Sequence, residues 1–344
     1  MQKIDAHCHV RADHPDSIAL LDSLDLRILN IALGTDPVGK WRSEGMWGSE
    51  GMEQAAKTGP RHCAWVTAFD EPRLNDPGWA DSVIAGLEAD FIRGAVAVKV
   101  WRNIGLKVRR PGAGNILPDD PVFTPVFSWL EKHHHTVVMH IGEPAEAWKP
   151  LNPASHRYSH YIRNPGEHYF GKPGIPAYGE LIAARDHVLE RHPRLRVVGC
   201  HLGSMEHDVR EVARRLERYP NFAVDTSARV PDLARQDRGL VREFFEEHSG
   251  RIIWGTDVFT EKPHSVMTEE ERGASLADLS RRWSEDAEYF ESPYGVSYRG
   301  WQEQPEIFPG LGLSAGVLQD LFLGSALKWY PGLFSHAPIV QPSS

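Results

Sequence analysis

Residues 195–226 read LRVVGCHLGSMEHDVREVARRLERYPNFAVDT. Residues 195–202 are a short apolar, β-rich run, and residues 221–226 are another. Between them, residues 205–219 repeat apolar side chains at helical spacing and stop at Pro220, which cannot continue a helix. Strand, helix, strand in this order predicts parallel strands joined by a crossover helix. The same alternation extends in both directions. β-rich runs fall at 3–10, 27–34, 62–70, 95–101, 136–142, 195–202, 221–226 and 251–258, and residues 178–192 form a second clear amphipathic stretch. Eight such units predict an α/β protein, a closed (β/α)8 TIM barrel, as a single domain over residues 1–344. An open doubly wound sheet is the competitor, but it would not predict the chemistry of the strand ends.

Those ends are polar. In the HCH of residues 7–9, alternation along a strand puts His7 and His9 on one face and Cys8 on the other. His140 closes TVVMH, His201 closes VVGCH and Asp257 closes IIWGTD. Each alone is an ordinary strand-end residue. All of them at the C-terminal edge of one sheet, where barrel enzymes keep their chemistry, point to a metal site. Mixed imidazole and carboxylate ligation with an open position suits catalytic zinc or a similar divalent ion. Cys8 and Cys200 are expected to face away from the ligands as packing thiols, and His201 to face inward with Gly199 and Val197. In AVAVKVW, residues 95–101, Ala95, Ala97 and Lys99 share one face and the valines share the other. Branched valines suit the helix side, so Lys99 is expected inside the barrel. There it needs a partner: a carboxylate such as Asp257, the substrate, or a carbamyl group that makes it a bridging ligand.

The chain carries 38 basic and 47 acidic residues, a net charge of −9. Duplex binders normally show a basic excess, so no nucleic-acid partner is expected. No apolar run reaches the ~18 residues of a membrane span. A β-rich run from Lys3 leaves no room for a signal peptide, which predicts a cytoplasmic protein with a small-molecule substrate. A homo-oligomer is compatible with the sequence. Three cysteines without a CxxC exclude a disulfide scaffold. GxxxxGK[ST], HExxH, GxSxG and a GxGxxG after a strand are all missing.

Residues 143–177 and 259–313, after strands five and eight, are too long for simple loops. Both start on the active face and are expected as lids. The first carries His156, His160 and His168, expected as lid residues rather than ligands. Within the second, residues 261–291 are predominantly acidic and read as a solvated helical excursion. A helix over 314–330 should close the barrel. Lys99, Arg102, Lys107, Arg109 and Arg110 bunch in and after strand four. Lys99, Trp101 and Arg102 are the expected substrate-binding residues, with arginine suited to a substrate carboxylate. Trp148, Tyr158, Tyr161, Tyr169 and Phe170 could wall an aromatic or lactone-like ligand.

HxH on strand one, Lys on strand four, His on strands five and six, and Asp on strand eight resemble the amidohydrolase superfamily. The segments look most like the amidohydrolase-2 branch, which includes aminocarboxymuconate-semialdehyde decarboxylase. The resemblance runs from IDAHCH at 4–9 to LGSAL at 323–327, with HLG at 201–203 and GTD at 255–257. Ser325 stands where the family often has Asn. The resemblance implies one divalent ion, zinc, held by His7, His9, His140 and Asp257. His201 would stand beside it as a polarising or proton-transferring group, and Asp257 would also take a proton from the attacking water. One metal per chain goes with an unmodified Lys99. The function that follows is a metal-dependent hydrolase using metal-activated water on a small-molecule ester, lactone or amide that carries a carboxylate. The alternatives are a non-oxidative decarboxylase of an aromatic or muconate-like acid, and a non-catalytic metal-bound binding module.

Overall fold

The apolar runs become eight strands in the computed structural model, which describes residues 1–31, 48–69, 77–110, 112, 114–300, 302 and 304–334. They are β1 (Lys3–Cys8), β2 (Leu26–Ile31), β3 (Cys63–Ala68), β4 (Ala95–Val100), β5 (Thr136–Met139), β6 (Arg196–Gly199), β7 (Phe222–Asp225) and β8 (Ile252–Ile253). Each pairs in parallel with the next. Residues 32–34 and 70, ends of two expected strands, lie outside the described residues. Backbone hydrogen bonds close the sheet into a barrel. Ala6 N donates to Trp254 O at 3.0 Å, Asp257 N to His7 O at 2.7 Å and His9 N to Val258 O at 2.7 Å.

A helix follows every strand: α1 (Pro15–Ser23), α2 (Gly48–Thr58), α3 (Trp79–Ile92), α4 (Thr124–Lys132), α5 (Tyr178–Arg191), α6 (Val209–Arg218), α7 (Arg238–Glu247) and α8 (Glu269–Glu291). Local chemistry starts them. Asp208 and Asp237 accept from backbone N–H groups of α6 and α7, and Thr268 with Glu271 forms a capping box on α8. Among the described residues, no helix is long and apolar enough to cross a membrane.

Apolar side chains form two shells. Ile4, Ala6, Leu29, Ile31, Val66, Ala97, Val138, Val198, Ala223 and Ile253 fill the barrel. Ile28, Val98, Val100, Val137, Val197, Phe222, Val224 and Trp254 belong to the core shared with the helices. The expected closing helix is α9 (Ala315–Gln319), a π-helical turn (Asp320–Gly324) and α10 (Ser325–Trp329). Ala326, Trp329 and Tyr330 join the inner shell. They do so at the N-terminal end of the strands, where Thr136 Oγ1 donates to Trp329 O at 2.6 Å.

Strict alternation fails in three places. The β1–β2 register slips between Asp5 and Cys8, so Ile4 and Ala6 point into the barrel while His7 and His9 also reach the mouth. The β3–β4 register slips at Trp65/Val66, which sends Ala95 to the outer shell and Val96 inside. In β6 the inward residues are Val198 and Cys200, not Val197. A Cβ on Gly199 would lie 2.7 Å from Phe222 Cζ, on the helix side. Cys200 therefore faces the interior, contrary to the alternation argument.

The connection after β8 is also corrected. It is not a lid: α8 buries Leu279, Trp283, Ala287 and Phe290, and Trp283 Nε1 donates to Asp5 Oδ2 at 2.8 Å. It is the eighth barrel helix, followed by an antiparallel hairpin, β9 (Gly295–Tyr298) and β10 (Glu306–Pro309).

Candidate metal centre

The seam between β1 and β8 brings the first three groups together. Gly255 is needed for the approach, since a Cβ there would stand 2.7 Å from His7 Cβ. Asp257 then adopts φ 61°, a left-handed conformation that Asp tolerates better than most residues. His7 Nε2 and His9 Nε2 lie 3.5 and 3.3 Å from Asp257 Oδ1. The Asp257 side chain is 28% exposed, so the group opens to the barrel mouth.

His201 reaches the same place by a different route. β6 ends at Gly199, and His201 and Leu202 turn through left-handed conformations, φ 58° and 57°. Strain of this kind gathers at functional sites. His7, His201 and Asp257 offer ligand atoms that all lie within 4.8 Å of one another. His140, just past β5, sets its ring edge-to-face on His201 at 4.4 Å between centroids.

Every imidazole is aimed by an acceptor. His7 Nδ1 donates to Asp225 Oδ2 at 2.7 Å, and His9 Nδ1 to Ile31 O at 2.7 Å. His201 Nδ1 donates to Ser227 O at 2.9 Å, and His140 Nε2 to Gly142 O at 3.2 Å. A carbonyl or carboxylate can only accept, so the proton sits on that nitrogen. In a neutral ring the other nitrogen carries a lone pair, the arrangement metal-ligating histidines use. Burial lowers the pKa of His7, helped by Lys99, and that of His140, helped by His201. Burial and then the charge of Arg229 push His201 down to about 3. Neutral imidazole is the ligating form. Asp257 is held well below the usual carboxylate range. Burial opposes its charge, and the close imidazoles of His9, His201 and His7 outweigh it. The donor set fits a divalent ion of the zinc type.

Lys99 is buried inside the barrel, as its strand face predicts, but its partner is Cys200: Nζ donates to Sγ at 3.0 Å. Asp257 takes His7 and His9 instead. His7, Cys200 and Asp225 form a second close group, and the amino group of Lys99 already sits against it. Trp101 is buried, with the guanidinium of Arg102 over its ring at 5.5 Å. The fork of Arg102, expected to meet a substrate carboxylate, pairs here with Glu143 and with Glu167, the latter at 3.0 Å. Arg110 is likewise paired with Asp120.

Residues 143–177 fold against the loops after β4, β6 and β7. Arg157 pairs with Asp232, Ala145 N donates to Glu206 Oε1 at 3.2 Å, and Arg102 holds Glu143 and Glu167. His156, His160 and His168 face Asp232, Glu167 and Lys149 O. Sequence reasoning missed Asp225, Ser227, Glu206 and Arg229. Asp225 had the same signal as the others, a polar residue closing the apolar run NFAVD on strand seven.

A family model described as Amidohydrolase matches residues 4–332. No curated protein matches the chain. Among solved structures, an uncharacterised TIM-barrel protein from Bordetella bronchiseptica is 13% identical, with a TM-score of 0.53 over 97% of this chain and 99% of that one. A structure described as amidohydrolase II is 14% identical, with a TM-score of 0.50 over 97% and 100%. A 2,6-dihydroxybenzoate decarboxylase from Rhizobium is 17% identical, with a TM-score of 0.46 over 82% and 99%. At these identities the likeness is one of fold.

Proposed function

Because the chain belongs to the amidohydrolase family, we propose that it is a metal-dependent hydrolase acting on a small-molecule ester, lactone or amide. The observation that carries this reading is the set of acceptor-aimed imidazoles facing Asp257 at the barrel mouth. His7, His9, His140 and Asp257 would hold one divalent ion, with zinc suited to the nitrogen-rich donors. When bound, such an ion supplies Lewis acidity and activates water near neutral pH.

The chain's own groups divide the remaining work. Asp257, ionised and open to the mouth, accepts a proton from the attacking water. His201 has its Nδ1 proton tied to Ser227 and its Nε2 free to exchange a proton. The charge of Arg229 acts on His201, and in this reading His201 stands on the substrate side of the group. From there it relays a proton to the leaving atom, and Arg229 adds fixed positive charge where negative charge develops. Arg102 and Glu167 keep the lid against the mouth.

Metal content and turnover, measured on the same preparations, test the assignment. His201→Asn keeps the ion and loses about 10²–10⁴-fold in turnover. His140→Asn loses the ion. A metal-free His201→Asn would make His201 a ligand, and a fully active one would make it a spectator. Carbon dioxide release from aromatic or muconate-like acids, without ester, lactone or amide opening, would replace the hydrolase reading with a decarboxylase. A loaded protein inert in both panels would leave a binding module.

A further inference from the structure

Two side chains beside the metal centre keep unpaired polar atoms in the interior. Glu206, in the turn after β6, and Arg229, just past β7, are 2% and 6% exposed. Glu206 Oε1 accepts from Ala145 N at 3.2 Å and so pins the first turn of the lid. Among the described residues its Oε2 has no hydrogen-bond partner. Arg229 Nη1 donates to Ala228 O at 3.0 Å, while its Nε has no hydrogen-bond partner among the described residues. Oε2 and Nε stand 4.0 Å apart. That is too far for a hydrogen bond, and it matches the spacing of an acceptor and a donor bridged by one polar group. A buried carboxylate oxygen and guanidinium N–H left this way are costly, which is itself a reason to look for what they meet.

The charge of Arg229 is felt by His201 and His140 of the centre and by Glu143 and Tyr161 of the lid. The Tyr161 hydroxyl, on the lid, is also buried without a hydrogen-bond partner among the described residues. Charges of both signs surround this space: Arg102, Arg157 and Arg229 stand against Glu143, Glu167, Glu206 and Asp232. A carboxylate placed between Glu206 and Arg229 would be repelled by Glu206, and an ammonium by Arg229. A hydroxyl satisfies both, accepting from Nε–H and donating to Oε2. A primary carboxamide does so with its oxygen and its NH2 group.

We infer that Glu206 and Arg229 form a specificity subsite that reads a neutral hydroxyl or carboxamide substituent on the substrate. The inference rests on the proposed function for the position of the substrate, but not for its test. Binding needs no turnover, so a protein that opens no ester, lactone or amide could still show the subsite, and the reverse.

The test is binding of four ring probes, benzyl alcohol, benzamide, benzoate and toluene, to the metal-loaded wild type and to Glu206→Gln. Calorimetry or ligand-observed NMR reads the affinities. Glu206→Gln keeps an oxygen for Ala145 N, so the lid anchor survives, and it turns the other atom from an acceptor into a donor. Referring each probe to the wild type cancels any direct contact of benzoate with the metal. The expected result is that Glu206→Gln weakens benzyl alcohol and benzamide by at least about tenfold, strengthens benzoate and leaves toluene unchanged. Unchanged ratios for the polar probes, or no binding of any probe, would overturn the inference. So would a crystal structure in which an ordered water stays between Glu206 and Arg229 with benzamide bound.

Discussion

The insertions after β5 and β8 leave the same rim and end in different places. Residues 143–177 stay over the mouth, and residues 259–313 turn down the outside as a wall. Ion pairs tie the first to the loops, Arg102 with Glu143 and Glu167, and Arg157 with Asp232, beside the buried Ala147, Tyr161 and Tyr169. An apolar stripe holds the second. Leu279, Trp283, Ala287 and Phe290 recur at helical spacing and are buried, although α8 is acidic elsewhere. The lesson is that position after a barrel strand does not make a lid. A segment with a continuous apolar face is drawn to the helix layer, and one that pairs its charges with the loops remains at the mouth.

The strongest way to break this contrast is to remove the lid. His168 Nε2 reaches Lys149 O at 2.9 Å, so a short glycine link in place of residues 151–167 can join the two sides. Turnover should fall by roughly 10²-fold or more while metal content stays unchanged. Loss of the metal with the lid would place a ligand in it.

On the wall, Trp283→Ala should cost about 3–5 kcal/mol, a melting point lower by roughly ten degrees. The metal content and turnover of the folded protein should match the wild type. A wall variant that loses activity without losing stability would erase the distinction.

Asp286 sharpens the contrast through pH. Burial raises its pKa to about 8, and the nearby charges of Asp5 and Glu285 add to this, while Tyr298 and Arg282 oppose it. Tyr298 OH donates to Asp286 Oδ1 at 2.7 Å and ties α8 to β9. A raised carboxyl stabilises the fold fully below its unfolded pKa of 3.8 and loses that contribution as pH rises through about 8. Thermal melts between pH 4 and 9 should therefore show Asp286→Asn gaining a few degrees over the wild type toward the alkaline end. Parallel curves would remove Asp286 from the account.

The smallest effect belongs to Glu167→Gln, which takes one of two carboxylates from Arg102. A loosened lid should raise KM by about two- to fivefold with little change in kcat.

The barrel is legible in the sequence because each strand is a separate apolar run and helical spacing lies between runs. The inward direction of Lys99 is legible for the same reason, since valine and alanine alternate around it. Direction fails where the register slips. No residue pattern marks the slip between Asp5 and Cys8, and it depends on how β1 meets β2. The turn that delivers His201 depends on left-handed backbone at His201 and Leu202, which neither residue type advertises. The ion pairs of Arg102 are not legible because its partners lie in a distant insertion. Arg229 was overlooked because an arginine in a loop looks solvated until the chain folds over it.

The seam between β1 and β8 also orders events in time. His9 donates its N–H to Val258, which is translated long after it. At about 5–20 residues per second, roughly 10–50 s pass between the two on the ribosome. Late in that interval the nascent chain holds His7, His9, His140 and His201 but not Asp257. Asp257 completes the set only when β8 docks and its N–H reaches His7 O. If the proposed centre holds its ion through Asp257, metal capture would be a late event that reports a finished barrel.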